Sequence, residues 1–194
     1  MQIGVSEVDT PHSVVSISRD APDFATIAGV PEAPTLEAIV APNAEYLKMT
    51  AVDVREARDS LSTTSSDKLD AVSLGTPHFS VDEFRALSEV IGDGPKFADQ
   101  IDFYISTSRD VMARSKELGY LDVFLNAGGR VVTDTCTYVT PVLNRNVRNV
   151  MTNSGKWAWY APGNLGIDTV LGSLSECVAS ARAGKVVRDE SLWA

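Results

Sequence analysis

The sequence has few cysteines, no long apolar run and no excess of positive charge. Two cysteines among 194 residues are too few for a disulfide-stabilised scaffold. No apolar stretch approaches the roughly 20 residues that span a bilayer. Asp and Glu outnumber Lys and Arg by 26 to 17, a formal charge of −9, whereas nucleic-acid binding depends on clustered Lys and Arg. We therefore expect neither nucleic acid nor a membrane as a partner.

The first residues also lack the basic start and apolar core of a signal peptide. We therefore expect a cytoplasmic protein whose two thiols are reduced. Apolar residues make up 44% of the chain, which is typical of a globular protein. The length suits one large domain or two small ones.

Proline divides the chain into two regions. Five of the nine prolines lie within the first 45 residues, where each removes an amide donor and restricts the residue before it. We expect short strands and turns in this region, with one brief helix near residues 35–40. The sequence thus predicts an irregular N-terminal segment, residues 1–48, packed on a main domain, residues 49–194.

From residue 49 onward, patterns typical of strands and helices alternate. Apolar runs predict strands at residues 71–74, 101–105, 130–133, 149–152 and 167–171. Helices are predicted between them, and Ser80 with Glu83 and Ser173 with Glu176 have the spacing of a capping box. Such alternation predicts an α/β fold, with a mostly parallel sheet and helices on both faces.

Hydroxyl and amide side chains follow four of the predicted strands. The four junctions are Gly75–His78, Ser106–Arg109, Asp134–Thr137 and Asn153–Lys156. Ligands of open α/β sheets bind at the carboxyl ends of strands, where helix N-termini and loop amides converge. Helix capping explains any single junction equally well, but four in one chain favour a binding site.

Several side chains at these junctions have reactive chemistry. His78 is suited to act as an acid or base or to bind an anion. Residues 153–156 offer amides, a hydroxyl and a cation to an anion, although the Walker frame is missing. Cys136 is open to three interpretations, as a nucleophile, a metal ligand or an inert residue. Cys177 falls within a predicted helix, where a buried core thiol is the simplest interpretation.

Three longer segments together resemble one known family. They are GTPHFSVDEF at 75–84, VVTDTCTYVTPVL at 131–143 and MTNSGKWAWYAPGNLGIDTVLGSLSECV at 151–178. In this order they resemble the aconitase X family, which comprises bacterial cis-3-hydroxyproline dehydratases and archaeal phosphomevalonate dehydratases. The resemblance implies an aconitase-domain-like fold and a hydro-lyase. Such an enzyme removes water from a hydroxy acid such as cis-3-hydroxyproline, with an iron or iron–sulfur centre as Lewis acid.

The resemblance also implies roles for individual residues. Cys136 becomes the leading candidate metal ligand and Cys177 a weaker second one. His78 and Lys156 become the candidate catalytic groups. The candidate substrate-binding residues are Gly75, Thr76, Thr135, Asn153 and Ser154.

The sequence departs from the family pattern in two ways. Residues 75–78 read Gly-Thr-Pro-His, whereas the archaeal branch of the family that the chain resembles has Gly-Cys-Pro-His. Thr76 therefore replaces a possible third cysteine ligand. We therefore expect an iron centre that is labile and lost from the isolated chain. The family also has a preceding segment and a small swivelling domain or subunit that we do not find, so we expect an incomplete enzyme that needs a partner chain or self-associates. The alternative is a non-catalytic binding or assembly subunit that retains the fold.

Overall fold

The structure is a computed structural model that describes residues 15–17, 25–27, 50–76, 78–135, 137 and 140–193. The chain divides into two units, Met1–Met49 and Thr50–Ala194. In the first unit, strands β1 (Val15–Ile17) and β2 (Ala25–Ile27) pair antiparallel. The brief helix expected near residues 35–40 lies outside the described residues, and the packing of residues 1–48 on the main domain stays a prediction.

The second unit is built on a five-stranded sheet that is entirely parallel. Its strands are β3 (Ala71–Leu74), β4 (Asp102–Thr107), β5 (Arg130–Thr133), β6 (Asn149–Thr152) and β7 (Asp168–Leu171). The helices are α1 (Ala51–Ser60), α2 (Val81–Ile91), α3 (Arg109–Glu117), α4 (Tyr120–Asn126), α5 (Gly155–Leu165) and α6 (Leu174–Ala183). A short 3₁₀ helix, Glu190–Trp193, follows. The α/β prediction is confirmed. No helix in the described ranges combines the length and apolar character needed to cross a bilayer.

The predicted capping boxes are also confirmed. Ser80 caps α2 and Ser173 caps α6, and in each case the Glu three residues later returns a bond to the cap backbone. Helix α5 continues to Leu165 through Pro162. Proline has no N–H for the carbonyl of Ala158. The Thr169 hydroxyl lies 3.4 Å from that carbonyl, and it also lies 3.0 Å from the carbonyl of Leu61, its shorter contact.

The sheet is assembled from β3 outward in two directions. Its strand order is β5-β4-β3-β6-β7, so the chain first adds β4 and β5 on one side of β3. It then returns to the other side for β6 and β7. This reversal creates a topological switch point between β3 and β6, where the loops that leave the carboxyl ends diverge and open a crevice. The loops at this crevice are those that follow residues 74 and 152.

The two faces of the sheet are chemically different. One face is apolar and packs in a core with residues of α2, α4 and α6; its side chains are Val72, Leu74, Phe103, Ile105, Met151 and Val170. Successive side chains of a strand point to opposite faces. Ala71 and Val150 therefore lie on the second face, where they pack against Trp157 and Ala161 of α5. The same alternation assigns to this face the buried polar residues Ser73 and Ser106. Helices thus cover both faces, as expected.

At the opposite, amino edge of the sheet, Asp70 ties β3 to β6. Its carboxylate accepts hydrogen bonds from the backbone N–H groups of Arg148 and Asn149, each at 2.8 Å. Burial by itself raises the pKa of Asp70, but these donors outweigh burial and hold the pKa below its ordinary value of 3.8. The ionised form of Asp70 therefore stabilises the pairing of the two central strands.

Candidate functional site

The loops after β3 and β6 meet at the switch point. The Ser154 hydroxyl donates a hydrogen bond to the carbonyl of Thr76. The same oxygen accepts the backbone N–H of Trp157 at 3.1 Å, so Ser154 caps α5 while it holds the two loops together. The N-terminus of α5 is therefore fixed beside Thr76, where its free amides and partial positive charge favour an anion.

The loop after β5 reaches the same crevice, although β4 separates β5 from β3. Thr137 is fully buried, and its hydroxyl shares a 2.5 Å hydrogen bond with Ser73 of β3. It also accepts a bond from the indole Nε1 of Trp157 at 2.8 Å. Nearby, His78 Nε2 lies 3.0 Å from the carbonyl oxygen of Thr135. Three loops thus converge at one edge of the sheet.

Two buried hydroxyls at this edge have no hydrogen-bond partner among the described residues. They are Thr76 Oγ1 and Ser106 Oγ, in residues that are 6% and 0% exposed. Buried polar groups in native proteins almost always have a partner. The two hydroxyls therefore mark a place where a ligand or an ordered water completes the hydrogen bonding.

Gly75 brings the loop after β3 into contact with the end of β4. It has a positive φ of 89°, and a Cβ there would lie 2.1 Å from the carbonyl oxygen of Ser106. That oxygen accepts the N–H of Phe79 at 2.9 Å, and Thr107 Oγ1 donates to the carbonyl of Phe79 at 2.6 Å. Only glycine meets both the conformational and the steric demand at this position.

Asp134 begins the loop after β5 with a positive φ of 58°. Its carboxylate accepts hydrogen bonds from the Arg109 side chain and from the Arg109 backbone N–H. The bond from the Arg109 side chain holds the pKa of Asp134 below its ordinary value. This contact ties the start of the loop to the N-terminus of α3.

The sequence-predicted site residues separate into three groups in the structure. Those at or beside the switch point are Gly75, Thr76, His78, Thr135, Asn153, Ser154 and Lys156, of which His78 and Lys156 are exposed. Cys136 lies outside the described residues, although both of its sequence neighbours are described. Cys177 lies in the hydrophobic core.

Cys177 has the environment of a structural thiol. It is fully buried on α6, and burial, with the adjacent Glu176 charge, raises the pKa of its thiol. This supports the simpler of its two interpretations. Nowhere in the described ranges do three His, Cys, Asp or Glu side chains converge as a metal site would require.

The described donors at the switch point do not fit the iron or iron–sulfur centre that the family resemblance implies. Their side chains offer hydroxyls, the Asn153 amide, the Lys156 ammonium group and the single imidazole of His78, whereas iron–sulfur clusters are held mainly by thiolates.

Sequence reasoning missed the buried contact between Ser73, Thr137 and Trp157. Ser73 lies inside a segment interpreted as an apolar strand. The informative signal is the hydroxyl itself, because a central parallel strand is buried on both faces and a polar side chain there needs a partner. That partner comes from a loop 64 positions along the chain.

Fold and site together define a parallel α/β domain with a polar crevice at its topological switch point. Residues 69–183 match the family model described as the aconitase X third domain. The chain is 33% identical over 185 residues to a cis-3-hydroxy-L-proline dehydratase of Pseudomonas aeruginosa, covering 93% of this chain and 32% of that protein. It is 37% identical over 126 residues to the phosphomevalonate dehydratase large subunit of Methanothermobacter thermautotrophicus, covering 65% of this chain and 31% of that protein.

A solved structure supports the same relationship. The holo-form of aconitase X from Thermococcus kodakaraensis superposes with a TM-score of 0.62 and 27% sequence identity, covering 73% of this chain and 36% of that chain. The chain belongs to the aconitase X family. It spans about a third of the length of the curated relatives it matches.

Proposed function

We propose that this chain supplies the anion-binding side of the active site in an aconitase X-type dehydratase. The two relatives are named for cis-3-hydroxy-L-proline and for phosphomevalonate. Both compounds pair a hydroxyl group with an anionic carboxylate or phosphate. A hydro-lyase for such a substrate has to hold the anion and remove a proton near the departing hydroxyl. The switch point offers groups for both tasks.

The observation that carries the proposal is the unpartnered Thr76 hydroxyl beside the N-terminus of α5. This helix is 11 residues long and starts directly after Ser154, so its first amides are free to bind an anion. Lys156 adds an exposed cation in the first turn, and Asn153 precedes the cap. Amides, a hydroxyl and an ammonium group together suit a carboxylate or phosphate.

His78 is the candidate for proton transfer. When its Nε2 carries the proton, it donates to the carbonyl of Thr135, which lies 3.0 Å away. The Nδ1 atom then has a free lone pair and is able to accept a proton. His78 is exposed at the crevice, so a bound substrate has direct access to it. We assign it the role of general base.

An iron or iron–sulfur centre would need Cys136 together with ligands from beyond the described residues. When bound, such a centre supplies a Lewis acid for the departing hydroxide. The roles assigned to His78, Lys156 and Thr76 rest on the contacts and exposure of these residues in this chain alone.

We further propose that dehydration requires a partner chain that supplies the parts present in the longer relatives. The archaeal relative is named as a large subunit, which is consistent with such a partner. In the described part of the chain, the exposed large apolar side chains are spread over separate elements, and only Trp159 and Tyr160 on α5 are adjacent in sequence.

Anion binding is tested by titrating the 194-residue chain with inorganic phosphate and with cis-3-hydroxy-L-proline in a calorimeter. Thr76→Val and Lys156→Gln should each weaken binding about fivefold to tenfold, since each removes one hydrogen bond or charge. Lys116→Gln is the matched control, because Lys116 is exposed near the C-terminus of α3. It should change affinity by less than about twofold. Equal affinities in all three variants, or no binding by the unmodified chain, would contradict the proposed site.

Activity is tested on the chain together with a candidate partner chain that carries the remaining parts of the longer relatives, by following loss of water from the hydroxy acid. His78→Ala should abolish turnover while phosphate binding persists. Anion binding without dehydration in the reconstituted complex would instead establish the alternative, a binding or assembly subunit that retains the fold.

A further inference from the structure

We propose that Trp157 is a positioning residue that fixes Thr137, and with it Thr135 in the loop after β5, beside the anion site. This inference rests on the proposed function, because it gives a part in that site to a side chain that does not touch the ligand. It is carried by a set of hydrogen bonds that meet at this one residue.

Trp157 joins two hydrogen-bonded chains that both return to β3 and its loop. Its backbone N–H donates to Ser154 Oγ at 3.1 Å, and the Ser154 hydroxyl donates to the carbonyl of Thr76. Its indole N–H donates to Thr137 Oγ1 at 2.8 Å, and Thr137 shares a 2.5 Å bond with Ser73. Ser73 lies in β3 and Thr76 lies two residues beyond its end. The bonds therefore close a ring that contains all three loops of the crevice.

The polar contact of Trp157 is more than packing requires. Its ring fills the small core formed with Ala71, Val150 and Ala161, and a phenylalanine there would keep part of this apolar contact while losing the N–H group. Apolar packing does not require an indole N–H, and burying this donor without an acceptor costs free energy. That acceptor is Thr137, so the indole selects one position of the loop after β5.

The loop needs such an anchor, because it leaves a strand at the edge of the sheet. The side chain of Thr137 reaches past the end of β4 to lie against β3, and Trp157, Thr137 and Ser73 are all 0% exposed. Thr135, in the same loop, provides the carbonyl next to His78. The Trp157–Thr137 bond therefore sets where the loop, and the imidazole beside it, stand relative to the N-terminus of α5.

The test compares the two thiols of the 194-residue chain without ligand. Cys136 belongs to the loop by sequence, whereas Cys177 is buried in the core and reports opening of the whole domain. The rate constant for iodoacetamide modification of each thiol is measured by mass spectrometry of peptides. The test variants are Trp157→Phe and Thr137→Val. Thr137→Ser keeps the hydroxyl as a rescue, and Trp159→Phe changes a tryptophan on the same helix that is 70% exposed.

Cys136 is the direct sequence neighbour of Thr137, so Trp157→Phe and Thr137→Val should change the Cys136 rate constant by about tenfold, the effect of losing one buried hydrogen bond. Thr137→Ser and Trp159→Phe should stay within about twofold of the unmodified protein, and Cys177 should stay protected in every variant. Unchanged Cys136 rates in both test variants would overturn the inference. So would a parallel rise at both thiols, because it would show that the bond stabilises the whole domain rather than the loop.

Phosphate affinity provides a second readout that separates this inference from the proposed function. If the unmodified chain binds phosphate, Trp157→Phe and Thr137→Val should weaken binding, whereas Trp159→Phe should not. If the unmodified chain does not bind phosphate, the anion site is refuted, and the thiol rates still decide whether Trp157 positions the loop.

Discussion

Gly75→Ala tests whether the close approach of the β3 loop to β4 holds the crevice together. The substitution introduces a Cβ 2.1 Å from the carbonyl oxygen of Ser106, at a residue whose φ is +89°. Gly119→Ala is a matched control, because Gly119 has a similar φ of +80° but nothing within 4 Å of the added Cβ. The two variants therefore share the conformational penalty and differ in the steric one.

The structure allows the two penalties to be estimated separately. An alanine at positive φ costs roughly 1 kcal/mol, and this applies to both variants. At Gly75 the backbone also has to move, because the obstacle is a main-chain oxygen. That oxygen accepts the N–H of buried Phe79, and displacing it adds about 1–3 kcal/mol. We expect Gly75→Ala to lose about 3 kcal/mol of unfolding free energy and Gly119→Ala about 1 kcal/mol.

Urea denaturation followed by circular dichroism measures both losses. A domain of this size has a total stability of roughly 5–15 kcal/mol, so a loss of about 3 kcal/mol is readily resolved. Losses that agree within about 0.5 kcal/mol would refute the reasoning, because they would show that the contact with Ser106 adds nothing to the conformational cost.

Three further results follow from the same structure. Ser154→Ala and Ser173→Ala each remove a helix cap at a cost of about 1 kcal/mol. Thermal denaturation should show that Ser154→Ala loses about 1 kcal/mol more unfolding free energy than Ser173→Ala, because it also loses the bond to Thr76. Equal losses of unfolding free energy would argue against that bond. Asp70→Asn should destabilise the protein at pH 7. Because the folded-state pKa of Asp70 lies below its ordinary value of 3.8, its stabilisation is present above that pH and is lost as pH falls further. The unfolding free energies of the two proteins should therefore converge in acid. A difference that persists at low pH would show that the ionised carboxylate is not the source of the stabilisation. Cys177 should resist iodoacetamide in the native protein and react fully in urea, and rapid native modification would show that it is not a core thiol.

Local chemistry made much of the secondary structure predictable. A capping box such as Ser80 with Glu83 involves residues three positions apart, so its signal is complete within one short segment. The same holds for strands such as β3 and β6, whose predicted bounds agree with the observed ones. The end of α5 was not predictable in this way. The nearest side-chain donor to the carbonyl that Pro162 leaves free is the hydroxyl of Thr169, a residue of the following strand.

The sequence by itself determined which residue types follow each strand, and therefore that the carboxyl edge of the sheet is polar. Strand order decided which of those loops meet, and it depends on pairings between distant segments, such as Val72 with Met151. Only that order brings Thr76 beside Ser154 at the switch point. The same strand order gives the Ser73 hydroxyl its hydrogen-bond partner, Thr137. The sequence shows that a hydroxyl in a buried strand needs a partner, but it does not show which residue supplies that partner.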